Sequence, residues 1–157
     1  MTQTLERLIA EPTVDQTGPL QATLVELIEL SLQAKQAHWN VTGPTFKPIH
    51  EFLDEITDQY RGWYDDVAER LAAIGEAPDG RSATVAASAT FESLPAGQLD
   101  AGTVAVLFEQ RVDQLARRLH VRAAQVGAVD LASQDLLVEI LRGVEKQRWM
   151  LRAHRGR

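Results

Sequence analysis

From Ile49 to Ile74 the apolar residues Ile49, Leu53, Ile56, Tyr60, Trp63, Val67, Leu71 and Ile74 follow one another at steps of three or four. That period gathers every member on one face of an α-helix and scatters them over both faces of a strand, so the segment has one way to bury its apolar side. Thr45 stands where a cap belongs, Pro48 falls in the first turn, and Gly75 ends the run. About 30 residues at 1.5 Å each make a rod of roughly 45 Å, which needs neighbours of similar length to cover its apolar stripe.

The rest of the chain supplies them. Leu20 to Asn40 carries Leu20, Leu24, Leu27, Ile28, Ala34 and Ala37 at helical spacing, opened by Gly18-Pro19 and closed by Gly43-Pro44. A third helix is expected over about Ala101–Gln125, with Gly127 closing it, and Asp130 is a candidate N-cap for a fourth reaching about Ala153. Short links after the first and third helices make two antiparallel hairpins. The link from Gly75 to Asp100, about 25 residues, is long enough to cross the bundle, so helices two and three can run parallel. Within it, the Ala-rich Ser82–Ser88 suits one or two helical turns. No strand alternation or repeat is seen. The expected fold is all-α: a ferritin-like four-helix bundle with one long crossover between helices two and three carrying a short extra helix. Residues 1–17 read as a loosely held arm, 18–154 as the bundle and 155–157 as the C-terminal end.

Composition narrows the chemistry. The 157 residues include no cysteine, which excludes disulfides, thiolate zinc sites and thiol nucleophiles. Sixteen Lys plus Arg against 22 Asp plus Glu, a net charge of −6, disfavours a generally basic nucleic-acid binder. Met1–Ala10 lacks the apolar stretch of a signal peptide and no run approaches a membrane span, so the expected location is the cytoplasm.

The polar side of the second helix carries the functional signal. With His50 at zero on a wheel of about 100° per residue, Asp54 falls at about 40°, Asp65 at about 60° and Glu69 at about 100°, away from the apolar series. His50/Asp54 and Asp65/Glu69 are i,i+4 pairs, able to meet at one ion, and imidazole with carboxylate suits iron or zinc better than magnesium or calcium. Asp54 and Asp65, however, lie about 16 Å apart along the axis. A two-fold axis near Gln59 or Tyr60 resolves this by opposing the first pair of one subunit to the second pair of another, with Gly62, Ala68 and Ala72 permitting close approach. No Glu-x-x-His motif of an intra-bundle di-iron site is present. Read singly, Asp65/Glu69 is a solvated face, His38 a hydrogen-bonded core histidine, and Trp39, Trp63 and Trp149 are packing residues.

The series His38-Trp39-Asn40-Val41-x-Gly43-x-x-Phe46, His50-x-x-x-Asp54 and Asp65-x-x-x-Glu69-Arg70 resembles the signature of the Dps family, the small dodecameric ferritins. The resemblance extends over about residues 20–154 and includes Asp130-Leu131-x-Ser133-Gln134-Asp135 and Trp149. It implies ferroxidase ligands His38, His50 and Asp54 from one subunit with Asp65 and Glu69 from its dimer partner, in a hollow dodecamer built from dimers. It further implies Fe(II) oxidised preferentially by hydrogen peroxide and stored as ferric mineral, protecting the cell and its DNA from oxidative damage. Trp39 matches the family's site-neighbouring tryptophan. Glu51 and Glu55 are candidate nucleation acids, and Asp130 and Asp135 candidate pore acids, with plain surface or capping roles as the alternatives.

Two rival readings stand beside this one. Arg148, Arg152, Arg155 and Arg157 occur without an acid among them, which leaves nucleoid association and salt-sensitive DNA binding open, although cations there also complement a helix dipole. Zinc suits the same donors as iron, lacks a redox step, and would make the assembly a structural shell or compete with iron.

Overall fold

The structure, a computed structural model, describes residues 15, 17–88 and 90–156. Four long helices and one short one account for most of it: α1 (Thr17–Asn40), α2 (Phe46–Ala73), α3 (Ser82–Ser88), α4 (Ala101–Gly127) and α5 (Leu131–His154). Pairs of residues at β1 (Val41–Thr42) and β2 (Leu99–Asp100) form a parallel bridge. The expected bundle, its crossover and the short helix within it are all present. The expected N-terminal arm lies outside the described residues apart from Asp15 and Thr17. Asp15 accepts hydrogen bonds from the backbone N–H groups of Thr17 and Gly18, at 3.0 and 2.9 Å, and so starts α1.

The long helices form two hairpins, α1 on α2 and α4 on α5. Leu20, Leu27, Leu53, Tyr60, Phe108, Leu115 and Leu137 are fully buried between them. Each such side chain contributes about 1.5–3 kcal/mol relative to exposure. The Tyr60 hydroxyl, placed in that core, donates to Gln147 Oε1 at 2.8 Å. Trp63 packs against Gly143, where a Cβ would stand 2.3 Å from the indole ring. Within the single chain, Trp63 has the packing role expected of the tryptophans. Trp39 and Trp149 are 69% and 64% exposed, because each sits on a helix face with no counterpart in its own chain.

The helix ends follow local chemistry. Asp100 caps α4 by accepting from Gly102 and Thr103, and Asp130 caps α5 by accepting from Ala132 and Ser133. Thr45 occupies the cap position of α2 as expected, but its hydroxyl makes no capping bond. Gly75 follows α2 at φ +90°, the left-handed conformation that ends a helix without a Cβ penalty.

Buried polar groups fasten the crossover. Glu26 of α1, 2% exposed, receives Arg118 and Arg122 of α4 and the hydroxyl of Thr90. Arg111 of α4, 5% exposed, donates to Gln33 Oε1 and to the carbonyls of Leu107 and Glu92. The β1–β2 bridge, pairing Val41 with Leu99 and Thr42 with Asp100, ties the far end of the crossover to the α1–α2 turn. Its two-residue strands are too short to show alternation in the sequence.

A candidate metal centre at the turn of the first hairpin

His38 lies in the last turn of α1, and His50 and Asp54 lie one turn apart near the start of α2. The chain reverses between them through Gly43, at φ +103°, where a Cβ would come within 2.8 Å of the Asp100 carboxylate. The reversal brings the two imidazoles into a stack, with centroids 3.6 Å apart and planes 20° from parallel. Phe46 leans on His50 at 4.8 Å.

The bonds of the pair are reciprocal. His38 Nδ1 lies 2.9 Å from the carbonyl oxygen of His50, and His50 Nδ1 lies 2.9 Å from that of His38. A carbonyl oxygen only accepts, so both Nδ1 atoms carry protons. In the neutral rings the lone pair is then left on Nε2, the nitrogen available to a metal.

Asp54 Oδ1 stands 3.8 Å from His38 Nδ1 and is ion-paired with Lys35 of α1. The Lys35 ammonium holds the Asp54 carboxyl below the usual carboxylate range; partial desolvation opposes it, and the two histidines add a smaller pull. Lys35 escaped the sequence reading, although it precedes His38 by three residues and therefore shares its helix face.

Asp65 and Glu69 stand exposed farther along α2. Eleven residues separate Asp65 from Asp54, about 16 Å of helix. Among the described residues of one chain, no three His, Asp or Glu side chains close around a point. The chain thus stacks His38 on His50 with Asp54 beside His38, and keeps Asp65 and Glu69 farther along α2. Between the two groups Gly62 has open space, with nothing within 4 Å of where a Cβ would stand.

The secondary acids divide. Glu51 and Glu55 are exposed on α2, Glu51 lying 3.6 Å from Lys47, and Asp135 is exposed near the start of α5. Asp130, a candidate pore acid with capping as the alternative, caps α5 in the single chain and is paired there with Arg70. Arg70 donates to both of its oxygens at 2.9 and 2.7 Å, and Ser133 donates through its hydroxyl and backbone N–H. Burial alone would raise its pKa; the bonds from Ser133 and Arg70 prevail and hold it at about 2.

The C-terminal arginines are paired as well. Arg148 bonds Asp113 at 2.8 Å, and Arg152 and Arg155 converge on Glu109, all three reaching across to α4. Arg157 lies outside the described residues. No described helix is long and apolar enough to cross a membrane.

Comparison with known proteins agrees with this architecture. The ferritin-like domain family matches residues 19–157. DNA protection during starvation protein 2 of Deinococcus radiodurans is 39% identical over 134 residues, covering 85% of this chain; the chain in turn spans 56% of that relative's length. A solved structure of a Dps protein from Deinococcus radiodurans superposes with a TM-score of 0.86 at 38% identity, covering 88% of this chain and 84% of the other. Dps from Microbacterium arborescens in its high iron form gives 0.85 at 34% identity, covering 94% and 98%. With helix order, crossover and motif region all within these matches, the chain belongs to the Dps family of ferritin-like proteins.

Proposed function

We propose that this protein takes up Fe(II), oxidises it at sites completed between two subunits, and stores the ferric product inside a hollow homo-oligomer, a dodecamer built from dimers. The observation that carries the reading is the placement of two imidazoles and a carboxylate at one end of α2, with two exposed carboxylates farther along the same helix. One chain has half a site at each end. A second copy with α2 antiparallel supplies the other half, so that His38, His50 and Asp54 face Asp65 and Glu69 of the partner subunit. The exposed Leu32 and Trp39, with Lys35 and Arg61 in the same groove, offer a surface for that copy to cover.

The donor set fits iron as a substrate. Neutral imidazoles retain affinity for Fe(II), while carboxylates favour the extra charge of Fe(III) and so draw the oxidation forward. Two Fe(II) ions give two electrons to one hydrogen peroxide; with two waters, the products are two ferric oxyhydroxide units and four protons. The preference for peroxide over oxygen rests on the family resemblance, as does protection of DNA through removal of both reagents. Glu51 and Glu55, exposed in the single chain, are the candidates for nucleation, and Asp135, exposed, with Asp130, capped and paired, are those for the pore. Zinc suits the same donors and acts in this reading as a competitor. DNA binding through the C-terminal arginines is the weaker reading, since Arg148, Arg152 and Arg155 already have carboxylate partners. The proposed setting is the cytoplasm.

The test is peroxide-dependent Fe(II) oxidation by the intact protein and by His50→Ala and Asp65→Ala variants. Each single variant should lose most of the rate, although the two positions are far apart in one chain. Co-assembling the variants should restore a fraction of sites, because one of the two sites in a mixed dimer carries neither substitution. Equal rates in all proteins would overturn the assignment.

A further inference from the structure

The two histidines make bonds that a metal ligand does not require of its neighbour. An orienting acceptor for Nδ1–H can be any carboxylate, carbonyl or water. Here each ring is oriented by the backbone of the residue that carries the other ring. The His38 carbonyl belongs to the last turn of α1, whose carbonyls have no helical N–H to accept, and His50 Nδ1 supplies one. The His50 carbonyl lies inside α2 and has a second lone pair for His38. The bonds therefore span the turn in both directions, beside the β1–β2 bridge and the left-handed Gly43.

We propose that His38 and His50 are positioning residues for one another: their crossed Nδ1–H···O=C bonds clasp the α1–α2 turn in the metal-free protein and set both Nε2 lone pairs in advance of metal. The metal-facing half of this statement rests on the proposed ferroxidase centre; the clasp itself does not. Binding then carries little cost for ordering the two imidazoles, because the turn has already been ordered.

Asparagine separates the two roles. Its amide nitrogen is bonded to Cγ, as Nδ1 is, so it can donate to the same carbonyl, but it has no atom in place of Nε2. Amide hydrogen exchange of residues 41–46 is measured in the metal-free full chain for the wild type, His50→Ala and His50→Asn, with Zn(II) titrations of each. His38→Ala and His38→Asn repeat the test from the other side, and circular dichroism checks the helices. The alanine variants should exchange about 10-fold faster over the turn, the effect of one lost hydrogen bond. The asparagine variants should stay near the wild-type rate, while both kinds lose Zn(II) affinity by at least about 10-fold. Alanine variants that exchange at the wild-type rate overturn the clasp, and so do asparagine variants that exchange as fast as alanine. Unchanged Zn(II) binding with the exchange difference intact leaves the clasp standing and removes the metal centre.

Discussion

Asp54 has two claimants, the Lys35 ammonium that already occupies it and any metal ion that the histidines attract. An ammonium brings charge without coordination, so a metal ligated by imidazole must displace it before using the carboxylate. Removing the lysine charge should therefore tighten metal binding. Lys35→Gln is expected to raise Zn(II) affinity by a few-fold at most, since the ion pair it removes is partly exposed. Calorimetric titration checks this, and an unchanged affinity would show that Lys35 does not compete. At this scale the sequence was only partly legible. Spacing placed His50, Asp54, Asp65 and Glu69 on one arc of a helix, and their placements in the structure follow from that period. A helical wheel reports faces, not atoms. It could not foresee that Asp54 would find Lys35, or that two rings twelve residues apart would exchange bonds with each other's backbone, because both depend on how the chain reverses through Gly43.

Asp130 shows how one residue serves several elements. It caps α5, holds Arg70 of α2 and receives the Ser133 hydroxyl, so α2 and α5 are joined through a single carboxylate. Its folded pKa of about 2 lies below the ordinary value of 3.8. The resulting stability is fully present above about pH 4 and is lost as the pH falls toward the folded value. Asp130→Asn keeps a side chain able to cap but loses the charge. It should cost about 2 kcal/mol at neutral pH and flatten the fall in stability between about pH 4 and 2, seen in denaturant unfolding across that range. An equally steep acid dependence in the variant would place the titrating group elsewhere. The helices themselves were readable almost to their ends, since long apolar periods between Gly, Pro and Asp leave few choices. The exceptions have local causes. Thr45 reaches the cap position without making the bond, and the parallel bridge is only two residues per strand.

On the scale of the whole molecule, α2 carries information that one chain does not use. Gly62 is the clearest case, a helix-interior glycine with open space around it, although alanine there would stabilise an isolated helix by roughly 0.5–1 kcal/mol. In the proposed antiparallel dimer the bare position would admit a close neighbour from another subunit. Gly62→Leu should thus leave the helical content of the chain unchanged and break the assembly, with native mass measurement showing smaller particles and peroxide-dependent Fe(II) oxidation falling with them. A Gly62→Leu protein that assembles as the wild type does would move the interface off this face. The bundle and its crossover were legible because connection lengths limit the topology; the exposed Trp39 and Trp149 were not, because periodicity cannot distinguish a core from an uncovered face. The fastening of the crossover has a further consequence, for assembly of the fold. Either hairpin can close over a few residues, whereas joining them in parallel means closing a link of about 25 at greater entropic cost. Hairpins docked in the wrong register would strand Arg111 or Glu26 in an apolar interior at a penalty of about 3–5 kcal/mol. These buried charges therefore favour one docking of the hairpins over others, by what a wrong register would leave unpaired.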